Sequence, residues 1–177
     1  MTDWSAIVHE FGPVVWRTAY RLLGDHAEAG DCFQETFVAA FQSYDHEPVE
    51  NWSALLKRIA TNQAINQLRK RVRHNNHSER LCDGINISCS NPGPDEEAEK
   101  HDLSNRLRLA LAKLPEREAE LLCLRYLHDW SHKRIAEATG LHQNSVGSLL
   151  YRARSHLREL LRIDPDGEKS VRCHHVR

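Results

Sequence analysis

From Trp4 to Leu23 the apolar residues recur every three or four positions. Phe11, Val14, Val15, Ala19, Leu22 and Leu23, joined by Thr18, share one stripe, the pattern of an amphipathic helix. Pro13 falls inside that stripe, so the helix is expected to start or to bend there. Gly24 ends it. Asp25, with Glu28 three residues on, forms a capping pair for a second helix over about Ala27 to Ser43. That helix puts Ala29, Phe33, Thr36, Phe37, Ala40 and Phe41 on one side and Asp31, Gln34 and Glu35 on the other. Past a loop containing Pro48, Asn51 can cap a third helix from Trp52 to about Arg73, with Trp52, Leu55, Leu56, Ile59, Leu68 and Val72 inward. Three striped helices suffice for one small helical domain over residues 1–74.

The period is lost over residues 75–102, which are rich in Asn, Ser, Gly, Pro and acids, as in a flexible linker. It returns at Leu103, Leu107, Ala110, Leu111 and Leu114. Pro115 suits the first turn of a further helix, with Glu116 and Glu118 near its positive end and Ala119, Leu122, Cys123, Tyr126 and Leu127 inward. Ser131 to Ala153 then has the spacing of a helix-turn-helix. Ser131 caps a short helix with Ile135 and Ala136 inward, Gly140 supplies a left-handed turn, and Leu141 plugs the corner. A second helix follows with Val146, Leu149, Leu150 and Ala153 inward. This leaves Gln143, Asn144, Gly147, Ser148, Tyr151 and Arg152 on a polar outer face able to enter a major groove. An ordinary helical hairpin is the alternative. The expected fold is all-α: two small helical domains on a flexible linker, the second (103–163) carrying the helix-turn-helix, and a disordered tail over 164–177.

Charge divides the chain further. Residues 1–56 hold nine acids against Arg17 and Arg21, whereas residues 57–80 hold Lys57, Arg58, Arg69, Lys70, Arg71, Arg73 and Arg80 against Glu79 alone. The net charge of −1 therefore conceals separate acidic and basic surfaces, suited to separate partners. The second half of the third helix mixes amides with arginines, pairing phosphate contacts with base-edge donors and acceptors, as a nucleic-acid surface requires. Five scattered cysteines suit reduced thiols. His74, His77, Cys82 and Cys89 are zinc-ligating types, but they match no close Cys-x-x-Cys pair. Neither a metal nor any other cofactor is expected. With no bilayer-spanning apolar run and no signal segment at Met1, membrane insertion is not expected and the cytoplasm is the expected location.

Three segments together carry a family resemblance: DCFQETFVAAF (Asp31 to Phe41), LLKRIATNQAINQLRKR (Leu55 to Arg71), and the run from Leu111 through the helix-turn-helix to Leu160. In this order and separation they resemble the extracytoplasmic-function group of bacterial RNA polymerase sigma factors, in the sigma-70 family. The resemblance implies a non-enzymatic promoter-specificity subunit. Its partners would be core RNA polymerase, through the β′ clamp and the β subunit, promoter DNA, and an anti-sigma factor where one exists. It implies core contacts through Asp31, Gln34, Glu35 and Phe37. It implies −10 element contacts through Asn62, Asn66, Arg69, Lys70, Arg71 and Arg73, and −35 element contacts through Gln143, Asn144, Ser148, Tyr151 and Arg152. The chain departs from the family pattern at Gly147, where a basic residue is usual, at Leu55, where Trp is frequent, and at Asn66, where Asp is common. A stand-alone helix-turn-helix regulator is the rival reading. It leaves Asp31 to Phe41 unexplained.

Overall fold

Helix ends are set by local chemistry. The side chains of Asp3, Asp25, Asn51 and Ser131 each accept a hydrogen bond from the backbone N–H three residues on, at 3.1, 2.9, 2.9 and 3.2 Å. Gly24 and Gly140 close two helices with φ of 76° and 69°, the left-handed conformation in which a side chain is disfavoured. The computed structural model describes residues 3–44, 49–81 and 95–163, with side chains outside 75–101. Among these, seven helices follow in order: α1 (Trp4–Leu23), α2 (His26–Ser43), α3 (Trp52–Leu81), α4 (Asp95–Lys113), α5 (Glu116–Tyr126), α6 (His132–Thr139) and α7 (Gln143–Ile163). There is no strand among the described residues, and no described helix is long and apolar enough to cross a membrane.

Several boundaries differ from those the pattern suggests. α1 runs unbroken through Pro13, which lies on its exposed side. Pro115 stands just before α5 as its N-cap residue instead of inside the first turn. α3 continues to Leu81 and α4 begins at Asp95, so both ends of the expected linker are helical. Without an apolar stripe these stretches show no period. Residues 82–94, with Cys82 and Cys89, and the 164–177 tail lie outside the described residues, as does the His77 side chain.

α1, α2 and α3 pack as a first unit around Ile7, Val15, Phe37, Ala40, Leu56 and Ala60. Leu121, Leu124, Trp130, Ile135, Val146 and Leu150 form a second centre holding the helix-turn-helix. A third cluster joins the two: Ala19, Leu22, Leu23, Ala64, Ile65 and Leu68 meet Leu111, Leu114, Ala119, Leu122, Cys123 and Ala153. The two halves are therefore packed on one another through a shared core, which an amphipathic stripe does not reveal because it does not say what it packs against. Some stripe positions lie elsewhere than expected. Phe41 is 61% exposed, edge-on to Trp4 at 5.2 Å, and Leu103 is 60% exposed, while Cys32 takes a fully buried place on α2. Burial pushes the thiols of Cys32 and Cys123 up to about 12, so both are unreactive as thiolates.

Polar contacts also cross the junction, two of them near its α1 and α5 ends. Arg108 Nε donates to the Leu22 carbonyl at 2.9 Å, at the end of α1. Thr61 Oγ1 and His128 Nε2 share a hydrogen bond at 3.1 Å. His128 is held down at about 4, first by burial and then by the charges of Lys57, Arg21 and Arg134, with Asp129 opposing.

A Cβ on Gly24 would come within 2.5 Å of the Arg108 guanidinium, at a positive φ. Gly24→Ala is therefore expected to lower Tm by roughly 2–8 °C in thermal unfolding, through backbone strain and displacement of Arg108. His128 gives a pH signature. Its folded value of about 4 lies below the ordinary 6.5, so the unfolded chain takes up the proton first as pH falls. Its contribution is intact above pH 6.5 and is lost progressively towards pH 4. Urea titrations at pH 7.5 and pH 5 should show a larger loss for the wild type than for His128→Gln, and equal losses would refute this assignment.

Candidate polymerase and nucleic-acid interfaces

The periodicity of α2 buries Ala29, Cys32, Thr36, Phe37 and Ala40 and leaves Asp31, Gln34 and Glu35 exposed one turn apart. Across from them α3 presents Gln63, Gln67, Lys70, Arg71 and His74, and the two helices line an open groove of about 810 Å³. One wall is acidic and the other basic. They are tied by Arg71 to Glu28 at 3.0 Å and by Gln67 to Glu35 at 3.3 Å. Phe37 is 9% exposed and stacks edge-on against Phe33 with ring centres 5.0 Å apart. It therefore supports this face from beneath instead of forming part of it.

The six α3 residues assigned to nucleic acid do not lie together. Asn66, Lys70 and Arg73 are exposed. Arg71 turns to α2 and its Glu28 partner. Asn62 and Arg69, half-buried, turn towards the second half of the chain. Asn62 Nδ2 donates to Glu120 Oε1 at 3.1 Å, and Arg69 donates to the carbonyls of Ala112 (3.4 Å) and Leu114 (2.8 Å) at the C-terminal end of α4. A guanidinium suits that negative helix end.

The helix-turn-helix has the predicted geometry. Leu141 N–H reaches back to the Ala136 carbonyl at 3.2 Å across the turn, and Ile135 and Val146 are fully buried between α6 and α7. Trp130 supports the unit from below, with the Arg134 guanidinium 4.7 Å above its ring, a cation–π contact. Gln143, Asn144, Ser148, Tyr151 and Arg152 are all exposed along one side of α7, Tyr151 by 69%. Ser148 Oγ donates to the Asn144 carbonyl at 3.1 Å, leaving its lone pairs outward. This face is unobstructed and lightly charged.

Sequence reasoning did not single out Glu120; it took Glu118 only as favourable near a helix start and Arg58 only as one of a basic block. The two acids are 4% and 2% exposed, inside a helix whose residues 118–124 are all buried. Glu118 meets His156 Nδ1 at 2.7 Å. Glu120 Oε1 accepts Arg58 Nε at 2.8 Å, and its Oε2 accepts from Arg117 at 3.2 Å. The available signal was charge embedded in an otherwise apolar run, which has no place in a helix with one solvated face. No group of three or more metal-ligating side chains is gathered among the described residues.

Comparison with known proteins matches the two halves separately. Residues 7–74 match the family model for sigma-70 region 2, and residues 104–157 match that for sigma-70 region 4. The chain is 30% identical over 157 residues to the ECF RNA polymerase sigma factor SigL of Mycobacterium tuberculosis, covering 84% of this chain and 82% of SigL. It is also 30% identical over 164 residues to SigE of Mycolicibacterium smegmatis, covering 91% of this chain but spanning only 62% of that longer relative. Its fold is similar to that of the sigma factor RpoE of Bartonella quintana, solved with the anti-sigma factor NepR, at a TM-score of 0.52 and 26% identity over 93% of this chain and 99% of that one.

A Cβ at Gly147 meets nothing within 4 Å. Gly147→Arg should therefore fit without displacement and stabilise α7 by about 1 kcal/mol. It should also tighten duplex DNA binding and steepen its salt dependence by about one unit of log K against log salt. Anisotropy titrations across a salt series check both.

Proposed function

The chain belongs to the extracytoplasmic-function group of RNA polymerase sigma factors in the sigma-70 family, and from that premise we propose how its surfaces divide the work of promoter-directed initiation. The α2 face of Asp31, Gln34 and Glu35 docks on core RNA polymerase, at the basic surface its charge requires. Residues of α3 read the −10 element. The outer side of α7 reads the −35 element through Gln143, Asn144, Ser148, Tyr151 and Arg152. The first half, up to residue 74, acts as one unit, and residues 103–163 as the other.

The observation that carries this reading is the presence on one chain of an exposed acidic helix face and an unobstructed recognition helix, each in its own family module. A stand-alone regulator would use the second and leave the first without purpose. The lightly charged α7 is a weak DNA binder alone, and tethering through polymerase turns two weak contacts into a strong one by raising effective concentration. Bond-making stays with polymerase, so the chain contributes positioning and no catalytic step. The place of action is the cytoplasm, with polymerase and the chromosome. Because the similar RpoE was solved with an anti-sigma factor, a protein of that kind is an expected partner here as well.

In-vitro transcription from a genomic promoter library with purified bacterial core polymerase tests the reading, and failure both to bind core and to initiate would end it. Replacing Gln34 and Glu35 by Ala and Lys should weaken core binding about tenfold while sparing the fold, since both are exposed. Arg152→Ala should cost about 1–3 kcal/mol of promoter discrimination with core affinity unchanged. Loss of core binding in Arg152→Ala would contradict the division.

A further inference from the structure

Several cations around the shared core are already bound. Arg58 pairs with Glu120 and Arg71 with Glu28, while Arg69 and Arg108 donate to helix-end carbonyls. Arg17, Arg21 and Lys57 are not: none of them makes a hydrogen bond or an ion pair among the described residues. They nevertheless converge. Arg17 and Arg21 stand one turn apart on α1, a spacing at which like charges repel. Lys57 reaches the same place from α3, and the turn between α5 and α6 adds His128 and Asp129. Together with Thr18 these residues line a cleft of about 150 Å³ where the two halves of the chain meet, and Asp129 is the only acid in its lining. The cleft is electropositive. Burial first, and then the charges of Lys57, Arg21 and Arg134 against that of Asp129, hold His128 at about 4. Lys57 is itself lowered, by burial first and then by Arg134.

We propose that this cleft is a phosphate-binding site, in which the Arg17 and Arg21 guanidiniums and the Lys57 ammonium hold a phosphate or diphosphate group. A guanidinium fork matches two phosphate oxygens at once, and the ammonium adds a compact charge beside them. Size limits the ligand. Pockets for whole drug-sized molecules run from about 300 to 1,000 Å³, so this one takes a phosphate group and not an entire nucleotide. The group is either a free inorganic phosphoanion or part of a nucleic-acid backbone, since both offer the same oxygens. The site shares no residue with the surfaces assigned above to polymerase and promoter, and it stands independently of that assignment. A phosphate there relieves the repulsion among the three cations and, by mass action, stabilises the fold that brings them together. It also favours the imidazolium form of His128. That residue faces Arg21 from α1, Lys57 and Thr61 from α3, Arg134 and the Trp130 ring beyond the turn, and Asp129 beside it. Its titration therefore reports whether the cleft is filled.

The test titrates the full chain with sodium diphosphate, against sodium chloride at matched ionic strength, and follows the His128 ring protons by NMR between pH 4 and 7.5. Diphosphate should bind saturably and raise the His128 midpoint from about 4 by about one pH unit. Arg21→Gln with Lys57→Gln should weaken diphosphate binding at least about tenfold. Asp129→Asn should tighten it about threefold, because the one opposing charge is gone and Asn tolerates the left-handed backbone at φ 54°. A merely disruptive substitution would not tighten binding. If the double variant loses its helical circular dichroism, Arg17→Gln, on an exposed side chain, is measured against the same outcomes. A fluorescein-labelled short single strand of DNA distinguishes the sources. A tenfold loss of its binding in the variant assigns the cleft to the nucleic-acid backbone, and a diphosphate response without that loss assigns it to free phosphoanions. A diphosphate response no greater than that to sodium chloride, with oligonucleotide binding unchanged in the variant, would overturn the site. So would a His128 midpoint that a saturating probe leaves unmoved.

Discussion

A helix buried on every side has to satisfy its own charges, and α5 imposes that demand on the rest of the molecule. Residues 118–124 have no solvated face, yet they include two acids. Glu118 is met from within the second half by His156. Glu120 is met from the other half by Arg58 and Asn62, and from its own helix by Arg117. Buried carboxylates without partners cost several kcal/mol each, so the arrangement of α3 against α5 is a condition of α5 being buried at all. Apolar contact supplies the drive through Ile65, Leu68, Leu111, Leu114 and Leu122. The ion pair supplies the register.

Charge segregation works at a second level. The α2–α3 groove opposes an acidic wall to a basic one, and the internal ties of Arg71 to Glu28 and Gln67 to Glu35 hold the two helices in register. These ties are half-exposed and contribute little stability. They do position Asp31, Gln34 and Glu35 outward on a firm base, with Phe37 packed beneath. A rigid, single-signed face suits docking on a large partner, since its order need not be created on binding.

The proposed division of surfaces follows the two family modules that the chain matches. The α7 face is exposed whatever the relation between the halves, whereas part of α3 is exposed only if the halves separate. The two surfaces proposed to read DNA thus differ in accessibility although both belong to the same chain. That difference arises from packing alone. Composition would rank α3, with its row of bases, as the readier DNA binder.

Local interactions made much of this molecule legible in advance. The caps at Asp25, Asn51 and Ser131, the left-handed turns at Gly24 and Gly140, and the buried pair Ile135 and Val146 all involve residues within about a dozen positions of one another, where chain geometry permits few alternatives. The outer face of α7 followed from the same spacing. The helical stretches over 75–81 and 95–102 escaped notice because they carry no apolar stripe to give them a period. Which stripes meet was not written locally either. Leu22 against Leu111, Asn62 and Arg58 against Glu120, and Arg69 against the end of α4 join residues 43 to 89 positions apart. Periodicity tells a side chain which way to point from its own helix axis. Only the folded chain supplies what stands opposite, and here that decided which of the basic residues on α3 face solvent and which are already bound.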